Sequence, residues 1–278
     1  MPARSKLGQN FLRDGQAVER IVTALGDLTG QTVVEIGPGR GVITGALAAK
    51  AGHVIAVEFD RELASALRSQ FSSGQVTDRG PVAIVEQDVL EFDFAAPAAR
   101  AGAKLRVAGN LPYYITSPIL RKLAASHSVI DTAVLMVQRE VGDRVTARPG
   151  SRDYGLLSVM VQGHGPVEPL FTLPPEAFAP PPQVHSTVFR WRFASRFAEL
   201  GVEEAGFLRF VGQAFAQKRK TLANNLRAAG VEPALALSAM KLAGIDPRAR
   251  AESLSIELFA AVWRTLSAEL AGMKGESS

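Results

Sequence analysis

Short apolar runs alternate with amphipathic stretches through the first two thirds of the chain, and the spacing predicts a parallel sheet. Thr32 to Ile36 reads as a buried strand, followed by the turn Gly37-Pro38-Gly39-Arg40-Gly41 and an Ala-rich helix from about Val42 to Lys50. His53 to Phe59, Val82 to Glu86, Leu105 to Ala108 and Asp131 to Val137 are the next strands, with a helix predicted over Arg61 to Phe71. Thr116-Ser117-Pro118 marks a further helix start, with Ser117 as cap and Pro118 at the first helical position. After Tyr154 the pattern changes to an apolar stretch from Leu156 to Val161, a strand over Val167 to Leu173, the Pro-rich run Pro174 to Pro182 and an alternating strand from Ser186 to Phe193. The last two strands are expected to form an antiparallel edge. Beyond Ala194 only helical segments remain, at about 203 to 217, 219 to 229, 232 to 243 and 255 to 270, separated by Gly230, Gly244 and Asp246-Pro247. The expected architecture is an α/β domain over residues 1–195 followed by a helical domain over 196–278, ending in a frayed tail, Gly275-Glu276-Ser277-Ser278.

Composition narrows the chemistry. The 278 residues include no cysteine, which excludes disulfides and thiolate metal sites, and His53, His127, His164 and His185 lack ligand spacing, so no metal is expected. No apolar stretch reaches membrane-spanning length and the first residues do not lead into a signal-peptide core, so a cytosolic protein is expected. Lys plus Arg exceed Asp plus Glu by 31 to 27, a modest excess that suits a polyanionic partner.

Two motifs carry the candidate site. The glycine turn could serve a dinucleotide, S-adenosylmethionine or only the backbone. A dinucleotide fingerprint wants a small residue where Val42 stands, and Glu35 just before the turn would repel a pyrophosphate but can serve a ligand bearing an ammonium group. This weighs against a nicotinamide-dependent oxidoreductase. Glu58 ends the second strand, where a carboxylate can accept both ribose hydroxyls of an adenosine. Asp88 follows the third, where it can accept from an adenine amino group, with Val89 and Ile36 as walls. The second motif, Asn110-Leu111-Pro112-Tyr113, follows the fourth strand. Asn110 offers an uncharged acceptor to a flat amine, Pro112 removes a backbone donor, and Tyr113 presents a ring for stacking. An ordinary strand-to-helix turn would use similar residues. Gly37, Glu58, Asp88 and Asn110 nevertheless all fall at carboxyl ends of consecutive strands, the rim where open α/β sheets bind ligands.

Six blocks in order resemble the ribosomal RNA adenine dimethyltransferase family of the kasugamycin-sensitivity type. They are Leu7-Gly8-Gln9-Asn10-Phe11-Leu12, Glu35 to Gly41, Glu58-Phe59-Asp60, Gln87 to Leu90, Asn110 to Tyr114, and Phe178 to Ser186. The resemblance implies a Rossmann-like class I methyltransferase domain with a mostly parallel seven-stranded sheet, and a small all-helical C-terminal domain. It implies that Asn10, Leu12, Gly37, Glu58, Asp88 and Asn110 contact S-adenosylmethionine, with Glu35, Gly39, Gly41 and Val89 in the same site, the first two residues coming from an N-terminal segment (1–14) that covers the cofactor. The implied reaction dimethylates the exocyclic amines of two adjacent adenines in the 3′-terminal hairpin loop of 16S rRNA, within an immature small subunit. Asn110 and the Leu111 carbonyl would act on the amine. The macrolide-resistance methyltransferases of large-subunit rRNA and a mainly ribosome-assembly role are the competing readings. Basic residues that could follow RNA are Arg144, Arg148 and Arg152, at i, i+4 spacing if that segment is helical, then Lys218-Arg219-Lys220, then Arg190 and Arg192 on one strand face, and Arg4, Lys6 and Arg13 around the N-terminal motif.

Overall fold

The computed structural model describes residues 10–72 and 82–275. Arg4, Lys6, Leu7, Gly8, Gln9 and the tail residues Glu276, Ser277 and Ser278 lie outside that range.

The chain runs through β1 (Phe11–Leu12), α1 (Gly15–Ala24), β2 (Thr32–Ile36), α2 (Val42–Ala48), β3 (His53–Glu58), α3 (Arg61–Ser72), β4 (Val82–Glu86), α4 (Ala95–Ala101), β5 (Leu105–Asn110), α5 (Thr116–Ala125), β6 (Ile130–Gln138) and α6 (Arg139–Thr146). It continues through α7 (Leu156–Gly163), β7 (Val167–Leu173), β8 (Phe178–Ala179), β9 (Ser186–Arg192), α8 (Glu204–Ala214), α9 (Leu222–Ala228), α10 (Pro233–Leu242) and α11 (Ile256–Gly275). The large sheet has the order β4-β3-β2-β5-β6-β9-β7. The pairs from β4 to β6 are parallel, whereas β9 is antiparallel to both β6 and β7. The seven-stranded, mostly parallel sheet with an antiparallel edge is the one expected.

Residues of both parities along the central strands are buried: Val33 and Val34, Val107 and Ala108, Val134 and Leu135. This is the burial of a parallel sheet covered on both faces, and it is why these strands read as continuous apolar runs. On one face Val18, Ile21 and Val22 of α1 and Ile43 and Leu47 of α2 join Val33, Val54, Ala108, Val134 and Val188 in one core.

Strand order reverses between β2 and β5. Their register pairs Ile36 with Gly109, so the chain ends that follow, Gly37 and Asn110, emerge side by side. Such a reversal opens a crevice beyond the strands' carboxyl ends. Gly109 permits the approach, because a Cβ there would stand 2.8 Å from the Ile36 carbonyl oxygen.

Two differences from the sequence reading concern boundaries. Helix α5 begins at Thr116 behind a 3-10 turn over Tyr113–Ile115, so Pro118 is its third residue, and Ser117 is not the cap. The Thr116 hydroxyl donates to the Pro112 carbonyl at 3.0 Å instead, tying the turn to the helix. The second difference is the domain division. The chain forms two compact units, Met1–Gly142 with Pro166–Ala194, and Asp143–Gly165 with Ser195–Ser278. A single break near residue 195 therefore leaves out Asp143–Gly165, whose apolar stretch is helix α7. The second unit has its own core, where Tyr154 and Val159 join Phe207, Phe210, Leu226, Met240, Phe259 and Val262.

Replacing Gly109 by Ala is expected to lower stability by about 1–3 kcal/mol, because the new methyl must displace backbone rather than a flexible side chain. The shift of the denaturant midpoint at unchanged slope measures it.

Candidate active site

The crevice at the β2–β5 reversal is a cleft of about 310 Å³. Its lining includes Asn10, Leu12, Glu35, Gly37, Gly39, Glu58 and the four residues Asn110 to Tyr113, so two motifs far apart in sequence share one cleft. Phe11, Pro38, Arg40, Val42, Ile43 and Tyr114 also face it, and none of them was singled out from sequence for this.

The glycine turn follows from backbone geometry. Gly37 and Gly39 have φ of 64° and 57°, the left-handed region that side chains disfavour. The turn lets α2 start directly over the strand end, with Gly41 as its N-cap. Gly41 faces away from the cleft: a Cβ there would meet Leu67 Cδ2 at 2.8 Å. It shapes the turn instead of lining the site.

Two carboxylates stand in the cleft wall. Glu35 is 1% exposed, and the Thr44 hydroxyl donates to its Oε2 at 2.5 Å. Burial pushes its carboxyl up to about 8, the nearby Glu58 charge adds to this, and the Thr44 hydrogen bond opposes it. Glu58 is oriented by main-chain donors, Oε2 accepting from Gly39 N–H at 3.1 Å and Oε1 from Asp60 N–H at 2.9 Å. Burial raises its carboxyl as well, against those two hydrogen bonds. A pair of desolvated acids at a glycine turn suits a cation with a diol, and it repels a pyrophosphate.

Across the cleft, Asn110 is the last residue of β5, and its Nδ2 donates to the Asn10 carbonyl at 3.0 Å. The amide is planar, so Oδ1 is the corner left for a ligand. Leu111 is 1% exposed and its N–H is spent on the Met136 carbonyl at 2.9 Å. Pro112 has φ −59° and opens the 3-10 turn. The Tyr113 hydroxyl shares a hydrogen bond of 3.1 Å with the buried Ser186 hydroxyl, which fixes the ring from its far end. Tyr114, next in the turn, is 62% exposed.

Asp88 and Val89 lie beyond β4 and are not part of the cleft lining. Asp88 Oδ1 accepts from Leu90 N–H at 2.8 Å, and Val89 is buried.

The basic residues sort differently from the sequence reading. Arg144 lies in the last turn of α6, but the helix ends at Thr146, so Arg148 and Arg152 follow in a turn that contains Gly150 at φ 86°, and no i, i+4 face forms. Lys218, Arg219 and Lys220 lie between α8 and α9 rather than on a helix. Lys218 Nζ donates to the Arg152 carbonyl at 2.7 Å, so the two clusters meet within the second unit. The buried Asn225 holds that loop, its Nδ2 donating to the carbonyls of Ala214 at 2.7 Å and Gln217 at 3.2 Å. A shallow cleft of about 260 Å³ beside it is lined by Gln217, Lys220, Asn224, Arg227 and Ala228. Arg190 is committed to Glu168, Nη2 to Oε2 at 2.5 Å, and Arg192 lies 3.9 Å from the same carboxylate. Arg13 donates its N–H to the Ala177 carbonyl at 2.8 Å.

Among the described residues no helix is long and apolar enough to cross a membrane.

The family model "Ribosomal RNA adenine dimethylase" matches residues 2–267. A protein named ribosomal RNA small subunit methyltransferase A from Acidobacterium capsulatum is 57% identical, over 95% of this chain and 91% of its own length. One of the same name from Koribacter versatilis is 48% identical, over 95% and 94%. Among solved structures, a dimethyladenosine transferase from Plasmodium falciparum superposes with a TM-score of 0.76 at 21% identity, covering 91% of this chain and 95% of that one. The 23S rRNA methyltransferase ErmE gives 0.69 at 25% identity, covering 93% and 100%. The sheet is thus the Rossmann-like class I methyltransferase fold, and the chain belongs to the ribosomal RNA adenine dimethylase family.

Proposed function

We propose that this enzyme dimethylates the exocyclic amines of two adjacent adenines in the 3′-terminal hairpin loop of small-subunit (16S) rRNA, with S-adenosylmethionine as methyl donor. The observation that carries the reading is the orientation of Asn110, whose Nδ2 is taken by the Asn10 carbonyl at the edge of a cleft that also holds Glu35 and Glu58. Relatives of 57% and 48% identity named for the small subunit favour it over the large-subunit reading.

The residues present fit the donor. Glu35 would hold its ammonium, Glu58 its ribose hydroxyls, and the bare backbone of Gly37 and Gly39 would admit its close approach, with Asn10 and Leu12 covering it and Asp88 and Val89 at the adenine end. When bound, S-adenosylmethionine supplies a methyl carbon made electrophilic by its sulfonium. On the substrate side, an adenine amine is a weak nucleophile because its lone pair is conjugated with the ring. Asn110 Oδ1 and the Leu111 carbonyl accept its two N–H groups and favour a pyramidal nitrogen with the lone pair free. Tyr113, pinned through Ser186, gives the base a platform worth about 1–3 kcal/mol. Positioning for in-line attack supplies most of the acceleration, up to roughly 7–11 kcal/mol in well-oriented systems. No side-chain base is required, and the released proton goes to solvent.

The RNA would be followed by the second unit, where Arg144, Arg148 and Arg152 lie on the chain leading to α7 and Lys218, Arg219 and Lys220 on the loop Asn225 holds. A looped single strand is the RNA form whose bases can be splayed into a cleft. The reaction would take place in the cytoplasm on the immature small subunit, with the protein as a monomer.

Incubation with labelled donor and either immature small subunits or large-subunit RNA, followed by nuclease digestion and mass spectrometry, tests the reading. Dimethyladenosine in the small-subunit hairpin is expected, and label confined to large-subunit RNA refutes it. Asn110→Ala should lower kcat by roughly a hundredfold, the scale of losing one group aimed at the reacting centre, with a far smaller change in donor affinity by calorimetry. RNA affinity should fall with salt by about 0.7 log unit per log unit for each phosphate contact, and replacing Lys218, Arg219 and Lys220 by Ala should flatten that slope.

Glu35 gives a pH test that needs no substrate. Its carboxyl titrates near 8 when folded, against an ordinary value of 4.5, so between these the folded protein keeps a proton that the unfolded chain has lost. Stability of the donor-free protein should therefore fall as pH rises through this window. Glu35→Gln cannot ionise, and its melting temperature should decline less between about pH 5 and about pH 8 than that of the wild type.

A further inference from the structure

The turn after Pro112 carries two tyrosines that meet their surroundings in opposite ways. A 3-10 helix turns once in about three residues, so the side chains of Tyr113 and Tyr114 leave the backbone about a third of a turn apart. Tyr113 is half-buried, and its hydroxyl is tied to Ser186. Tyr114 also lines the cleft, yet it is 62% exposed, and among the described residues it has neither a hydrogen-bond partner nor a ring contact. Its backbone is nevertheless fixed. Ile115 N–H donates to the Pro112 carbonyl at 3.2 Å, and the Thr116 hydroxyl donates to the same oxygen, so the residues that follow Tyr114 are closed onto the one that opens the turn. Only the side-chain torsions of Tyr114 remain free. Val42 is the other large apolar side chain of the described lining that faces water.

We propose that Tyr114 is the stacking platform for the nucleotide beside the one being methylated, so that the turn holds two adjacent bases, Tyr113 the one inside the cleft and Tyr114 its neighbour at the mouth. The proposal rests on the reading that the substrate is a single-stranded loop with adjacent adenines. Under that reading the cleft takes the donor and one base together, so the second base, joined to the first by one backbone step, stays at the rim. A flat, exposed ring on a fixed backbone suits it. Every base has a π-face, and a tyrosine loses little freedom on stacking because few torsions must settle. The phenol oxygen is dispensable in this role, and no charge is involved. For a pair of adenines the same arrangement sets an order. One adenine waits on Tyr114 while the other reacts, and an advance of the strand by one nucleotide brings the waiting base into the cleft.

Tyr114→Ala, Tyr114→Leu and Tyr114→Phe test this on a short single-stranded oligoadenylate and on immature small subunits. Binding of the oligoadenylate to the donor-free protein, followed by fluorescence anisotropy, needs no turnover. Affinity should fall about five- to thirtyfold in the alanine and leucine variants, the loss of one base stack, with the salt slope unchanged because no phosphate contact is removed. Tyr114→Phe keeps the ring and should restore most of the affinity. On small subunits, mass spectrometry of the digested RNA should find the alanine and leucine variants leaving one adenine dimethylated and its neighbour unmodified, where the wild type completes both. Methylation slowed alike at both adenines overturns the proposal, since that is the signature of a general defect. So does an oligoadenylate affinity unchanged in both variants, or a wild type that holds no oligoadenylate at low salt. Weaker donor binding by calorimetry at full RNA affinity also overturns it, because the ring would then pack on the donor. Loss of oligoadenylate affinity in the variants of a protein whose wild type methylates no small subunit upholds the stack and refutes the proposed reaction instead.

Discussion

The close parallel pairing of β2 with β5 is the constraint on which the site depends. Strands leave this pair in opposite directions, β3 and β4 on one side and β6 on the other, so only here do neighbouring carboxyl ends diverge and leave room above the sheet. Gly109 allows the contact, and Ile36 opposite it is buried. Once that pair is in register, a glycine turn and an asparagine more than seventy residues apart must lie side by side. The chemistry on each side is then a matter of which short side chains the two turns carry.

Those side chains divide the labour by charge. Glu35 and Glu58 are both desolvated, an arrangement that costs stability and is tolerated because Thr44 and the N–H groups of Gly39 and Asp60 partly satisfy them. A cation entering between them would offset part of that cost. The facing wall is neutral: Asn110, Leu111 and Pro112 offer hydrogen-bond acceptors without charge. Under the proposed reaction a positive methyl donor and a neutral amine would meet opposite walls suited to each.

The sheet was legible because both faces of its strands are buried, which writes each strand as an apolar run, and because the two motifs sit where those runs stop. Val33 and Val34 illustrate the first point, and Gly37 and Asn110 the second. What escaped reading depends on distance or on very short elements. β1 and β8 are two residues each, too brief for any alternation to register, yet they place Asn10 against Asn110. The partner of the Tyr113 hydroxyl, Ser186, lies 73 residues away with nothing in the intervening sequence to announce it. The arginines at 144, 148 and 152 looked helical by spacing alone, but Pro149 and Gly150 intervene, and the helix stops at Thr146. The apolar stretch of α7 carried no sign that it belongs with helices beyond residue 195, since membership of a core is a property of the folded chain.

That membership has a consequence for how the protein can be divided. The polypeptide passes between the two units three times, at Gly142, Gly165 and Ala194. Cutting at the last crossing would not yield a free-standing sheet module: Tyr154, Val159 and their neighbours would be stripped of Phe207, Phe210 and Phe259 and left as a greasy flap in mid-sequence. The helical unit is in this sense an interwoven partner and not an appendage, and a gene encoding only one of them would encode neither.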